Sequence, residues 1–272
     1  MSKIILKQYV TSTDPQIISD FLSLKTDISK IKIKKAMNNG SVWLKRKNKK
    51  QIRIRKATTN ILPGDYVELY YDESLQNISP PESKCLSDNI HYSVWHKPSG
   101  LMSQGTMFGD HCSILYQAER FFSYKYKIFL VHRLDREVEG VMVLAHSKEA
   151  AAKFSILFKN NQIIKTYRAS VLGNVNEKYP CNTINLPLDG KEAITEFKVI
   201  HYDFDKNSSI IDITIKTGRF HQIRRHFDMI GCPVIGDPKY GKGNKSLEGI
   251  MLKAIGLKFL CPFLRKDVII EI

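Results

Sequence analysis

The sequence predicts an α+β fold, and three observations carry the prediction. Apolar runs at 128–131 and 141–145 flank a charged loop, which reads as strand, loop, strand. Ile211, Ile213 and Ile215 alternate with Asp212, Thr214 and Lys216, the period of a half-buried strand. Ala150, Phe154, Leu157 and Phe158 recur at helical spacing behind Ser147, a residue suited to cap a helix. At 272 residues the chain has room for one large domain and a small one.

The charge narrows the partners. Lys and Arg number 42 against 27 acids, a net +15. Such an excess favours a polyanion, nucleic acid first, over a membrane surface, because no basic amphipathic helix with a broad apolar face occurs. No apolar stretch is long enough to span a bilayer, and the N-terminus lacks the apolar core of a signal peptide. The five cysteines are scattered and never spaced Cys-x-x-Cys. They read as reduced thiols of a cytoplasmic protein, without a disulfide frame or structural zinc. His91, His96, His111 and Cys112 fit no common metal-ligand spacing, so no metal is expected.

Residues 1–72 read as a small basic domain. Asp14 and Pro15 predict a helix start, with Ile17, Ile18, Phe21 and Leu22 on one face. Ser29 predicts the cap of a second helix, buried through Ile33, Ala36 and Met37 and stopped by Gly40. Val42, Trp43 and Leu44 read as a strand, as do residues 66–71 after the turn Pro63-Gly64-Asp65. Lys30, Lys32, Lys34 and Lys35 follow the second helix, and a further run of cations extends from Lys45 to Lys56. Asp27 is the only acid between Lys25 and Lys56, a density that favours phosphate binding over a merely soluble face. Residues 31–40, Val42 and Gly64-Asp65-Tyr66-Val67 resemble the RNA-binding domain typified by ribosomal small-subunit protein four. The resemblance implies that a helix pair and a β-turn grip structured RNA, with Lys32, Lys34 and Lys35 as RNA-binding candidates.

Residues 73–90, with Ser79-Pro80-Pro81-Glu82-Ser83 and few apolar side chains, read as an exposed connector. The larger domain is placed at 91–272. It opens on a strand at 92–95 and a turn, His96 to Gly100, followed by a helix at 113–122. Asp135 then sits between Arg133 and Arg136 on the charged loop, a carboxylate beside cations and arranged to act. A surface ion pair is the rival reading of the same residues. After the helix behind Ser147, a strand at 166–171 carries Tyr167. The alternating strand at 211–216 runs through Thr217-Gly218-Arg219-Phe220 into a helix at 221–230, closed by Gly231. Ile223, Phe227 and Ile230 face the core, which leaves Arg224 at the edge of a cleft. Arg219 at the helix start suggests an anion site, and a helix with a cationic outer face is the equal alternative.

No phosphate-binding glycine loop, dinucleotide pattern, serine elbow or metal-spaced histidine pair occurs. One candidate acid, several arginines and some tyrosines suit covalent or electrostatic chemistry on a nucleotide. Four stretches then resemble the RluA-type pseudouridine synthases in order and spacing: Lys97-Pro98-Ser99-Gly100-Leu101, His132-Arg133-Leu134-Asp135, Lys165-Thr166-Tyr167-Arg168-Ala169, and Thr217 to Arg224 continuing through Gly236-Asp237-Pro238-Lys239-Tyr240-Gly241. The resemblance covers residues 91–272. It implies a mixed, mostly antiparallel central sheet with flanking helices. It also implies isomerisation of uridine to pseudouridine in ribosomal or transfer RNA, with no cofactor and no membrane. By the same resemblance Asp135 is the catalytic acid, Arg224 its partner, Tyr167 a neighbour of the base, and Arg133 the residue that helps extrude the nucleotide. Val138-Glu139 stands where many members carry Thr-Ser, which puts an extra negative charge near the site. Nothing in the sequence demands more than a monomer. The rival functions are a non-catalytic RNA-binding or assembly factor on the same fold, and a nucleoside glycosidase, which would tend to carry two placed carboxylates.

Overall fold

The computed structural model describes residues 3–244 and 246–272. The chain forms two compact units: the chain up to Pro80 together with Gln104–Arg120, and Pro81–Ser103 together with Phe121–Ile272.

The first unit holds β1 (Lys3–Tyr9), α1 (Ile18–Thr26), α2 (Lys30–Asn38), β2 (Val42–Lys45), β3 (Ile52–Arg53), β4 (Tyr66–Asp72) and the short α3 (Glu73–Gln76). Its antiparallel sheet runs β1-β4-β2-β3. Ile18, Phe21, Leu22, Ile33, Ala36 and Met37 of the helices form one buried cluster with Val42, Leu44, Val67 and Leu69 of the strands. Ser29 caps α2 by accepting from the Lys32 amide at 3.4 Å. Gly40 takes the left-handed conformation (φ +83), and a Cβ there would meet Asp110 Oδ1 at 2.5 Å. Only glycine satisfies both demands.

Three expectations need correction here. Asp14 does not cap α1, whose N-cap is Ile17. Its carboxylate instead accepts from the Thr11 amide and hydroxyl, each at 2.8 Å, and pairs with Lys25 at 2.8 Å. A local turn has won the competition for the acid. Arg53 and Arg55, counted in the basic run, converge on Asp110 instead of lying open to a ligand. The connector 73–90 carries structure, since α3 lies in it and β5 (Lys84–Asp88) joins the sheet of the second unit.

The second unit continues with β6 (Tyr92–Lys97), β7 (Phe129–Leu130), β8 (Glu139–Ala145), α4 (Lys148–Lys159), β9 (Ile164–Leu172), the short α5 (Val175–Lys178), β10 (Thr183–Asn185), β11 (Ile194–Asp203), β12 (Ser208–Ile215), α6 (Gln222–Met229), β13 (Leu252–Leu260) and β14 (Asp267–Glu271). One sheet runs β10-β11-β12-β9-β13-β8-β6-β5, with β14 on β13 and β7 on β8. The β8–β13 pairing is parallel, and the others are antiparallel. The fold is therefore α+β with a mixed, mostly antiparallel sheet and flanking helices. The parallel join needs Gly140, where a Cβ would meet Ala254 O at 2.2 Å and φ is +133. Tyr92, Val94, Val141, Val143, Phe154, Leu257 and Phe259 fill the core beneath α4, which Ser147 caps through the Ala150 amide. No disulfide joins any of the five cysteines.

Candidate active site

The loop between β7 and β8 presents Asp135, and its backbone is fixed from two sides. Ser103 Oγ donates to Leu134 O at 2.6 Å and accepts from Leu134 N at 3.1 Å. Lys97, fully buried, donates to Leu101 O at 2.8 Å, Pro98 O at 3.1 Å and Arg136 O at 3.3 Å. Burial pulls the Lys97 amine down to about 8, against the pull of Glu137, Asp135 and Glu139. His132, on the same loop, accepts from Val143 N at 2.9 Å and stacks on Phe158. Burial, helped by Lys165, holds its pKa down to about 3, so the ring is neutral at pH 7.

Arg224, in the first turn of α6, meets Asp135 Oδ2 through Nη1 at 3.0 Å. Its Nε and Nη2 donate to the two oxygens of Asp237 at 2.6 and 2.8 Å. The guanidinium is thus hydrogen-bonded to two carboxylates, with a third, Glu137, 3.9 Å from Nη1; the side chains of Arg224 and Asp237 are 2% and 0% exposed while that of Asp135 keeps 28%. Burial pushes the Asp237 carboxyl up, but Arg224 and the amides of Lys239 and Tyr240 outweigh it and hold it below its ordinary value. Burial lowers the Arg224 pKa, and the hydrogen bonds it donates to Asp237 and Asp135 more than reverse that. The arrangement locks the fork and leaves one oxygen-bearing edge, Asp135, accessible.

His221 precedes the helix in a left-handed conformation (φ 51). Its Nε2 lies 3.5 Å from Asp135 Oδ2 and 3.3 Å from Arg224 Nη1, and its Nδ1 lies 3.2 Å from Tyr240 Oη. Burial lowers its pKa, with Asp135 pulling the other way. Gln222 fixes the turn before it. Its Oε1 accepts from Thr217 Oγ1 at 2.8 Å and Arg219 N at 3.0 Å, and its Nε2 donates to Ile194 O at 2.9 Å. The Arg219 amide is committed in this way. The Arg219 side chain also donates, to Glu192 O at 2.8 Å.

Tyr167 is buried on β9, in register with Ile213 of β12 and Ala254 of β13. Burial, then Asp135, push its hydroxyl above the ordinary range. Asp135, Tyr167, Arg224, Arg133 and Arg219 all line one cavity of about 790 Å³. That volume suits a ligand of nucleotide size, within the roughly 300–1,000 Å³ usual for ligand pockets. Lys32, Lys34 and Lys35 stand on α2 of the first unit, all exposed. Lys32 pairs with Glu73 at 2.8 Å and Lys35 donates to Asn77 Oδ1 at 2.9 Å.

Val138 and Glu139 part company in the structure. Val138 is buried against the cavity, whereas Glu139 is absent from its lining and pairs with Lys253 at 3.5 Å. Its carboxylate therefore stays out of the cavity lining, although its charge still reaches Lys97. Sequence reading gave no role to Lys97, Ser103, His221, Gln222 or Asp237. Lys97, His221, Gln222 and Asp237 lay inside the quoted motifs, so position within a motif was the signal that pointed to them. Among the described residues no three His, Cys, Asp or Glu side chains converge to hold a metal, and no helix is long and apolar enough to cross a membrane.

Comparison with known proteins identifies the family. The family model described as RNA pseudouridylate synthase matches residues 91–229. An uncharacterized RNA pseudouridine synthase of Mycoplasma genitalium is 27% identical, over 97% of this chain and 90% of its own length. The ribosomal large subunit pseudouridine synthase C of Rickettsia felis is 33% identical, over 65% of this chain and 67% of its own. The solved structure of human RNA pseudouridylate synthase domain containing 1 shares the fold, with a TM-score of 0.59 and 20% identity over 72% of this chain and 86% of that one. The chain belongs to the RNA pseudouridylate synthase family, and by that membership it is an RNA-modifying isomerase.

Proposed function

We propose that the protein converts particular uridines of ribosomal or transfer RNA to pseudouridine, with Asp135 as the catalytic carboxylate. The observation that carries the reading is a partly exposed Asp135 held by the buried Arg224 in a nucleotide-sized cavity that Tyr167 also lines. A uridine in a duplex is out of reach of such a cavity, so the nucleotide leaves its stack, and Arg133 assists or fills the gap. The bond from the sugar C1′ to uracil N1 breaks, the ring turns, and C1′ bonds to C5. The C5 proton leaves and N1 gains one. Substrate and product are isomers, so no co-reactant is consumed. Asp135 either attacks C1′ or takes a proton from C2′. Arg224 keeps the carboxylate aimed, and Tyr167 lies against the base, where it can move a proton at the close.

The likeness to the Rickettsia felis ribosomal large subunit pseudouridine synthase C favours ribosomal RNA as the substrate. The basic first unit acts as the RNA grip, in the manner of the ribosomal protein domain it resembles, with Lys34, Lys32 and Lys35 touching the RNA and Arg219 serving at the cavity. The test is to incubate the protein with ribosomal and transfer RNA transcripts tritiated at uridine C5 and to follow tritium release. Release from one transcript, with pseudouridine mapped at discrete positions, supports the reading. Tight binding without release from either would favour a non-catalytic RNA-binding factor.

A further inference from the structure

The turn between β12 and α6 carries an apolar ring that the proposed chemistry leaves unused. Phe220 lines the cavity, yet it remains 63% exposed. A single exposed phenylalanine is ordinary on a protein surface, so exposure alone decides nothing; its setting does. The ring is stacked on His221, with centroids 3.7 Å apart and planes 21° from parallel. His221 in turn faces Asp135, Arg224 and Tyr240, and Gln222 Oε1 holds the Arg219 amide and the Thr217 hydroxyl just before Phe220. Phe220 is therefore held in orientation before any ligand arrives, which cuts the entropy cost of binding. The surroundings are cationic: Arg133 and Arg219 line the same cavity, and the Lys239 ammonium stands 5.6 Å from the Phe220 ring centre. An aromatic face set among cations matches a single-stranded nucleic acid, whose bases alternate with phosphates.

We propose that Phe220 is a stacking platform for an unpaired nucleobase adjacent to the target uridine, with Lys239 placed for the intervening phosphate. This subsite deepens the RNA-modifying reading and rests on it. The target base occupies the cavity beside Asp135 and Tyr167, and its neighbour lies on the exposed ring. Because every base offers a π face, the platform favours unpaired over duplex RNA without choosing a sequence.

Two short single-stranded oligouridylates serve as probes, each with 2-aminopurine on one side of a central uridine. Stacking on an aromatic ring quenches that fluorophore. The wild-type protein is expected to quench one of the two. Phe220→Leu, which keeps an apolar side chain, is expected to lose the quenching and about tenfold in affinity, whereas Phe220→Trp keeps both. Equal quenching and affinity in wild type and Phe220→Leu overturns the proposal, as does the absence of quenching by wild type with both probes. An unchanged melting temperature for Phe220→Leu shows that any loss is not a folding defect. Tritium release by wild type, measured in parallel, separates the two ideas: quenching without release sinks the enzymatic reading alone, and release without quenching sinks the platform alone.

Discussion

At the scale of single residues, the site is one guanidinium divided between two acids with different duties. Asp237 is wholly buried and bidentate on Arg224, so it sets where the fork points; Asp135 receives the remaining nitrogen and stays partly exposed. Removing one member of a buried pair strands the other charge, a loss of about 3–5 kcal/mol. Asp237→Ala is therefore expected to lower unfolding stability by roughly that amount in a urea titration. Arg224→Lys keeps the charge but cannot span both carboxylates, and it should cut tritium release by about 100-fold while RNA affinity holds. Asp135, Tyr167 and Arg224 were named from their motifs, and the structure brings them to one cavity. Asp237 was not, because an acid followed by proline reads as part of a turn, and its partner lies 13 positions away on a helix.

At the scale of elements, legibility followed the clarity of the apolar period. The strand β12 and the helices α4 and α6 alternate or recur cleanly and were read near their observed bounds. The strands β1, β5 and β14 are half-exposed or more along their length, so their sequences resemble loops. In β13 the register shifts between Ala254 and Gly256, which breaks the alternation that would have revealed it. The strand β8 matters most to the site because it ends the loop that presents Asp135. Its glycine sits against the β13 backbone with no room for a methyl group. Gly140→Ala is expected to cost at least about 2 kcal/mol. A matching fall in tritium release per folded molecule would show that the join also positions the loop.

At the scale of the whole molecule, composition announced a basic first domain but not its full membership. Residues 104–120 belong to the first unit through Ser41 Oγ donating to Phe108 O at 2.6 Å and through the pairs of Asp110 with Arg53 and Arg55. Those bonds join positions more than fifty residues apart, and no local pattern signals them. The exposed cations Lys45, Lys47, Lys49 and Lys50 remain available for phosphate. Changing them to Glu should weaken RNA binding and reduce the slope of log K against log salt by about 0.7–0.9 for each phosphate that is no longer neutralised. An unchanged slope would remove this unit from the RNA grip.

Stability should also depend on pH through the histidines. Burial lowers the pKa of His96, His111, His132, His146, His221 and His226 in the folded chain. The unfolded chain therefore binds protons first as pH falls below about 6.5, and stability declines from there toward the lowered folded values, which for His132 reach about 3. Thermal melting at pH 5 is expected to occur on the order of 5 °C below melting at pH 7.5. Equal melting temperatures would mean that these rings titrate alike in the folded and unfolded chain.

The proposed chemistry stands on the Asp135 carboxylate, and Asp135→Asn probes it with the fewest other changes. The amide keeps the size of the side chain and removes its charge. Under single-turnover conditions, with tritiated RNA and saturating protein, the variant is expected to bind as tightly as wild type within a few-fold and to release no tritium above background. Release at an appreciable fraction of the wild-type rate would contradict the assignment.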